Sequence, residues 1–303
     1  MSRQLETEVL KGVSRSFYLS LRLLPRPMRH AAGIAYLLAR TSDTVADSVV
    51  GSAEERIESL LDYLKQVRGE APRQAFPENM YQGITDNREA SLLRSHMEIL
   101  QALGGLGSEE IKLIDEVLET IIGGQILDIE RFGRGRSELA ALKHPDELED
   151  YAWRVAGCVG LFWTRLGFLK MGINFSRHSQ VELEQWAVEY GKGLQLVNIL
   201  RDFHADREMG RCYLPVENPM DDAACFSEFL KWRTVALDKV AYGRAYAGKL
   251  CGLRLRLASG LPAAIAEETL KSLNVGNLSA LEPRIKISRS RLYRLILCDF
   301  LRF

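Results

Sequence analysis

Long apolar runs, paired cysteines, net charge and strand-like alternation are all missing from this chain of 303 residues. No stretch approaches the ~18 to 20 uninterrupted apolar residues of a membrane-spanning helix. The opening MSRQLETEVLKG carries acids and no apolar core, unlike a secretory signal. The five cysteines (Cys158, Cys212, Cys225, Cys251, Cys298) are odd in number and never form a C-x-x-C pair. A disulfide framework and a zinc site are therefore not expected, and a reducing compartment is. Lys+Arg and Asp+Glu both total 40, so the formal net charge is zero. A neutral total gives no reason to expect bulk attraction to nucleic acid, and any anionic ligand must be held by local charge. A cytoplasmic protein, at most peripheral on a membrane, is the expectation.

Alternating apolar and polar runs are absent, whereas apolar residues recur at helical spacing almost throughout. From Pro27 to Ser48, the residues Met28, Ala31, Ile34, Leu38 and Val45 share a broad apolar face, and Pro25-Arg-Pro27 marks a helix start. Further helices are expected over roughly 54–67, 88–103, 107–131, 146–171, 179–208, 222–257 and 261–274. Between them lie a polar break at 69–87, the 133–137 stretch and a loop at 210–221. With no low-complexity linker and no fixed repeat, a single all-α domain over 1–303 fits.

Two polar stripes interrupt this apolar pattern. In Tyr36-Leu-Leu-Ala-Arg40-Thr-Ser-Asp43-Thr-Val-Ala-Asp47 the two aspartates are four residues apart, hence about 40° apart around a helix and one ~6 Å turn along it. Like charges at that spacing weaken a helix by a few tenths of a kcal/mol unless a cation lies between them. Magnesium is suited, being a hard ion bound through one or two carboxylates plus water and phosphate oxygens. Alone, such a pair reads better as an acidic patch on a solvated helix face. The second stripe, Gln195-Leu-Val-Asn198-Ile-Leu-Arg201-Asp202-Phe-His204-Ala-Asp206, puts Asn198, Asp202 and Asp206 on one line of an otherwise apolar helix. Two inward acidic stripes repel each other unless metal ions and an anionic ligand complete the site. Arg40 and Arg201 stand beside the acids, and guanidinium donors form a rigid fork that matches phosphate oxygens. After Gly210, which ends the helix, Arg211 and Tyr213 are placed on a loop next to the second stripe. His204 lies off the line and reads as a flanking polar residue. Asp128, in Gly124-Gln125-Ile-Leu-Asp128, reads either as a buried substrate-side acid or as a solvated helix position.

With those residues in place, the chain resembles the squalene/phytoene synthase family, and within it the squalene synthase branch. The resemblance runs from about Val9 to Ile296. It is carried by Ser14-Arg-Ser-Phe17, the two aspartate motifs, Tyr151-x-x-x-Val155-Ala-Gly157-x-Val-Gly160, Gly210-Arg211-x-Tyr213-x-Pro215 and Lys286-Ile-Ser-Arg289. It implies the all-α isoprenoid synthase fold, with helices surrounding a central cavity. It also implies head-to-head condensation of two farnesyl diphosphates through presqualene diphosphate to squalene, with magnesium and NADPH as cofactors. By the same resemblance Asp43, Asp47, Asn198, Asp202 and Asp206 bind magnesium. Ser14, Phe17, Tyr36, Arg40, Gln195, Arg201 and Arg211 hold or flank the substrates, and Tyr151 acts in the cyclopropane-forming step. Dehydrosqualene, phytoene, or hydrolysis or cyclisation of a single prenyl diphosphate are the alternative outcomes on this framework. The small residues at 155–160 suit either a cavity wall or close helix packing. The basic, apolar tail at 284–303 suits either contact with an anionic membrane surface or a last helix packed on the body.

Overall fold

The computed structural model describes residues 5–14, 17–47, 51–82, 84–133, 139–281 and 291. The motif at 286–289, Arg15, Ser16, Ser48 and, apart from Arg291, the tail at 284–303 lie outside the described residues. Among the described residues, eleven helices of seven residues or more run in chain order: α1 (Phe17–Leu23), α2 (Arg26–Ala46), α3 (Ala53–Arg68), α4 (Asn87–Arg94), α5 (His96–Gly104), α6 (Ser108–Phe132), α7 (Pro145–Ala152), α8 (Cys158–Met171), α9 (Gln180–Glu208), α10 (Asp222–Lys249) and α11 (Leu253–Ser272). Local chemistry sets many of their ends. Pro25 precedes α2 with a proline also in its first turn. A reciprocal Ser52–Glu55 capping box opens α3, and Gly69, at φ +74°, closes it in the left-handed region.

Helices α2 and α9 are central. α2 packs against α3, α5, α6 and α8, and α9 against α8, α10 and α11. One apolar cluster gathers around α2 and α6, with Met28, Ile34, Leu37 and Leu38 completely buried. A second surrounds the C-terminal half of α9, with Leu200, Leu214, Phe229 and Leu270 at its centre. Between α7 and α8 the chain passes through a π-helical turn, Trp153–Gly157. Such single turns widen the helix and shift the register of the side chains around them.

The structure corrects the sequence reading in three places. The expected 88–103 helix breaks at Ser95, which ends α4 and begins α5. The break expected near 258–260 occurs instead at Leu250–Gly252, where Gly252 adopts φ +82°, and α11 continues through Gly260 and Pro262. The loop containing Arg211 and Tyr213 is a strand, β2 (Arg211–Pro215), paired in parallel with β1 (Ala140–Leu142). Arg211 lies opposite Ala140, and the Ala140 N–H donates to the Gly210 carbonyl at 3.0 Å. Cys212 and Leu214 are buried, which draws this five-residue segment inward and holds Arg211 and Tyr213 in fixed directions.

Candidate active site

Two cavities meet between α2 and α9. The first, of about 540 Å³, is polar and is lined by Asp43 and Asp47 from α2, Gln125 and Asp128 from α6, Tyr151, Gln195 and Arg211. The second, of about 380 Å³, is apolar and includes Phe17, Tyr36, Val159 and Trp163 in its wall. Asp43, Val155 and Gln195 belong to both linings, so the two spaces adjoin there. Periodicity explains the walls. Ala32, Ala35, Tyr36, Ala39 and Asp43 form one helical stripe of α2, while Ala187, Gly191, Leu194, Gln195 and Asn198 form the matching stripe of α9. Both stripes are apolar toward the helix N-terminus and polar toward the C-terminus.

The small residues at 155–160 serve both roles left open by the sequence. Val155, Ala156, Val159 and Gly160 line the apolar cavity. Gly160 also lets α8 approach α9 backbone to backbone, since a Cβ there would lie 2.0 Å from the Ala187 carbonyl oxygen.

In the polar cavity Asp43 is held by identifiable partners. Gln125 Nε2 donates to Asp43 Oδ1 at 2.7 Å and to Ser42 Oγ at 3.0 Å, while Arg40 Nη1 stands 3.4 Å from Asp43 Oδ2. The second guanidinium arm of Arg40 donates to Glu89 Oε1 at 2.5 Å. Enclosure pushes the Asp43 carboxyl up to about 6; Arg40 opposes this and Asp47 adds to it. Its side chain nevertheless keeps 45% of its area exposed, because the enclosing space is a cavity and not packed protein. Asp206 is pushed up to about 7, first by burial and then by Asp202 and Asp128, against the opposing charges of Arg211 and Arg201.

Asp128 links the two aspartate helices. It is largely enclosed and not a solvated helix position, its side chain 14% exposed in the wall of the polar cavity. Tyr213 Oη donates to its Oδ1 at 2.7 Å, and Arg211 Nη1 lies 3.4 Å from its Oδ2. Burial raises its pKa, with Asp47 adding to the effect; its own charge in turn raises that of Asp206. Tyr151 stacks on Tyr213 with ring centroids 5.0 Å apart, and burial raises its phenol far above neutral pH. Tyr151 is thus a proton donor at neutral pH and not a phenolate base.

The remaining predicted residues divide into those at the cavities and those behind them. Phe17 stacks on Tyr36 at 5.4 Å in the apolar wall, and Tyr36 Oη donates to the Val13 carbonyl. Asn198 lines the apolar cavity where it meets the polar one and donates to Gln195 Oε1 at 3.3 Å. Asp202, Asp206, Arg40 and Arg201 line neither space directly. Arg201 is engaged with Asp202 through bonds of 3.1 and 2.5 Å. Ser14 is buried, and its hydroxyl donates to the Leu10 carbonyl, away from both linings. His204 pairs with Glu208 at 3.5 Å, as a flanking residue would. Sequence reasoning missed Gln125 and Arg56 in the polar wall and Glu89 behind Arg40. Gln125 had a signal, standing three residues before Asp128 within the otherwise apolar run 121–129; Arg56 and Glu89 had none.

Among the described residues no group of three or more acids, histidines or cysteines is close enough to hold a metal by itself. The donors are instead hard oxygens in separate pairs, and Gln125 Oε1 is buried beside Asp43 without a partner. That set fits magnesium, which takes one or two carboxylates and completes its shell with water and ligand phosphate.

Residues 10–226, which contain every one of these side chains, match the family model described as squalene/phytoene synthase. The chain belongs to the squalene/phytoene synthase family. It is 32% identical to a presqualene diphosphate synthase of Rhodopseudomonas palustris over 68% of this chain and 60% of that protein. It is 30% identical to the presqualene diphosphate synthase of Zymomonas mobilis over 72% of this chain and 62% of that one. The matches thus span about three fifths of those relatives' own length. The all-α fold is shared with the complex structure of TcSQS with the ligand E5700, at TM-score 0.79 and 23% identity over 99% of this chain and 87% of that one.

Proposed function

We propose that the protein is a prenyltransferase joining two farnesyl diphosphates head to head through presqualene diphosphate to squalene. The carrying observation is the junction at Asp43, Val155 and Gln195, where a polar cavity rich in carboxylates opens into an apolar one. A substrate with a diphosphate head and a hydrocarbon tail has both ends provided for. Asp43, Asp47, Asn198, Asp202 and Asp206 would hold magnesium, which when bound neutralises the diphosphate and stabilises charge on the leaving oxygen. Arg211, in the wall of the same cavity, binds phosphate oxygens through its guanidinium. The wall of Phe17, Val159 and Trp163 keeps water from an allylic cation. Tyr151, in the wall of the polar space and held by Tyr213, positions a phenol beside the reacting carbons.

A second reading, in which turnover ends at presqualene diphosphate, is favoured by the two relatives bearing that name. The test is product analysis after incubation with farnesyl diphosphate and magnesium, with and without NADPH. Squalene only with NADPH supports the full reaction, and the cyclopropyl diphosphate in both tubes supports the shorter one. Dehydrosqualene in both tubes, or farnesol alone, overturns both. Cytoplasmic location and membrane contact by the 284–303 tail belong to the same proposal.

A further inference from the structure

The charge of this chain is balanced overall but not locally. None of its 40 acidic residues falls within 9–42, 151–181 or 239–266. The fold brings the exposed ends of these three stretches together. Arg254 donates from Nε to the Leu23 carbonyl and from Nη2 to the Arg22 carbonyl, both at 3.3 Å. Cys251 N–H donates to the Phe175 carbonyl at 2.8 Å, and Ser176 Oγ to the Lys249 carbonyl at 2.8 Å. The turns before α2, between α8 and α9, and between α10 and α11 therefore form one end of the molecule.

That end is cationic and tipped with aliphatic side chains. The first turn supplies Arg22, Arg26 and Arg29, the second Arg177, and the third Lys249, Arg254 and Arg256. Among the described residues none of these seven lies within ion-pair distance of a carboxylate; Arg29, Arg254 and Arg256 bond to backbone carbonyls, which leaves their charge uncompensated. Ile173 is 75% exposed, and Leu169 and Leu253 also show more than a third of their area. Capping of the last carbonyls of α1 and α10 accounts for Arg29, Arg254 and Arg256. It does not account for Arg26, in the first turn of α2, where the helix dipole disfavours a cation and no acid stands.

The position of this end relative to the cavities supplies the rest. Helix α2 has 21 residues and so spans roughly 30 Å, with Asp43 near its far end. The apolar stripe climbs from Asp43 through Ala39 and Ala35 to Ala32, toward Arg26; on α9 it climbs from Asn198 to Ala187, toward the turn holding Ile173. Leu21 and Ala258, which lie close in sequence to Arg22 and Arg256, close the upper wall. The hydrocarbon side of the site thus leads toward the cationic, aliphatic end.

We propose that this end docks on an anionic lipid bilayer, with the arginines at the headgroups and Ile173 entering the acyl boundary. Nucleic acid would engage the cations but offers nothing to Ile173 and Leu253. None of the residues named for it belongs to the 284–303 tail. Binding is read without turnover, so its failure and the failure of the proposed reaction are separable. The experiment is co-sedimentation of the full chain with phosphatidylcholine vesicles with and without phosphatidylglycerol, and competition by duplex DNA. Binding should require phosphatidylglycerol and weaken with salt. The triple variant Arg22→Gln/Arg26→Gln/Arg177→Gln should bind about a hundredfold more weakly, at about fivefold per charge. Ile173→Ser should lose about tenfold, while Lys65→Gln/Lys231→Gln, elsewhere on the surface, should bind as wild type. Thermal unfolding of each variant confirms that it is folded. Wild type that ignores anionic vesicles, a triple variant that binds undiminished, or DNA binding equal to vesicle binding with Ile173→Ser unaffected would each overturn the proposal.

Discussion

Replacing Asp43 with asparagine should stabilise the ligand-free protein while removing most of its activity. Enclosure and Asp47 lift the Asp43 carboxyl from 3.8 to about 6, so its ionised form is disfavoured in the fold. Fully sealed, such a rise would correspond to about 3 kcal/mol. With 45% of the side chain exposed, solvent screening reduces this to about 1 kcal/mol. The sign follows from the raised folded value. Its stabilising contribution is complete below the unfolded pKa and is lost as pH rises through about 6, leaving the wild type penalised above that range. Asparagine keeps an oxygen to accept from Gln125 and carries no charge, and Arg40 retains Glu89. Thermal unfolding in the absence of magnesium should therefore give the Asp43→Asn variant a Tm higher by about 2 °C at pH 8 and no difference near pH 4. Magnesium with a non-hydrolysable prenyl diphosphate should reverse the order by stabilising the wild type alone. A variant that is less stable at pH 8, or a gain that does not depend on pH, would refute the electrostatic account of the site.

Three other changes follow from the geometry. Tyr151→Phe should slow single-turnover formation of the cyclopropyl diphosphate by about a hundredfold with the fold intact, and an unchanged rate would reject its role. Gly160→Ala, whose added carbon would lie 2.0 Å from the Ala187 carbonyl, should cost about 1 to 3 kcal/mol in urea unfolding; a neutral result would mean α8 and α9 separate easily. Buried His96 is held down to about 4 by desolvation and then by Arg73, so its contribution is whole above its ordinary value near 6.5 and is lost as pH falls through 4. His96→Leu should flatten the pH dependence of stability between 6.5 and 4, and an unaltered slope would contradict that assignment.

The helices were legible because their apolar residues repeat at helical spacing over many turns, as in α6 and α9, whose bounds match expectation to within a residue. The breaks were less so. The gap expected at 258–260 is helical instead, with Ala258, Ser259 and Gly260 all buried, where tertiary contacts override local preference. Strand β2 is short and pairs with a segment some seventy residues away, a long-range contact with no local signature. In the site, the two aspartate stripes were visible because polar residues at i and i+4 stand out on an apolar helix. Glu89 and Arg56 were not, because each reaches its place only through the packing of separate helices. Asp128 stayed ambiguous until Tyr213 and Arg211, brought over by β2, closed on it.

The central claim is that the two aspartate pairs, with an adjoining apolar cavity, ionise an allylic prenyl diphosphate. Its most direct test is single-turnover release of diphosphate from farnesyl diphosphate by wild type, Asp43→Asn and Asp206→Asn, with magnesium and with a chelator. The wild type should release diphosphate with magnesium only, and both folded variants should lose most of that release. Release that survives the chelator, or that either variant performs at close to the wild-type rate, would contradict it.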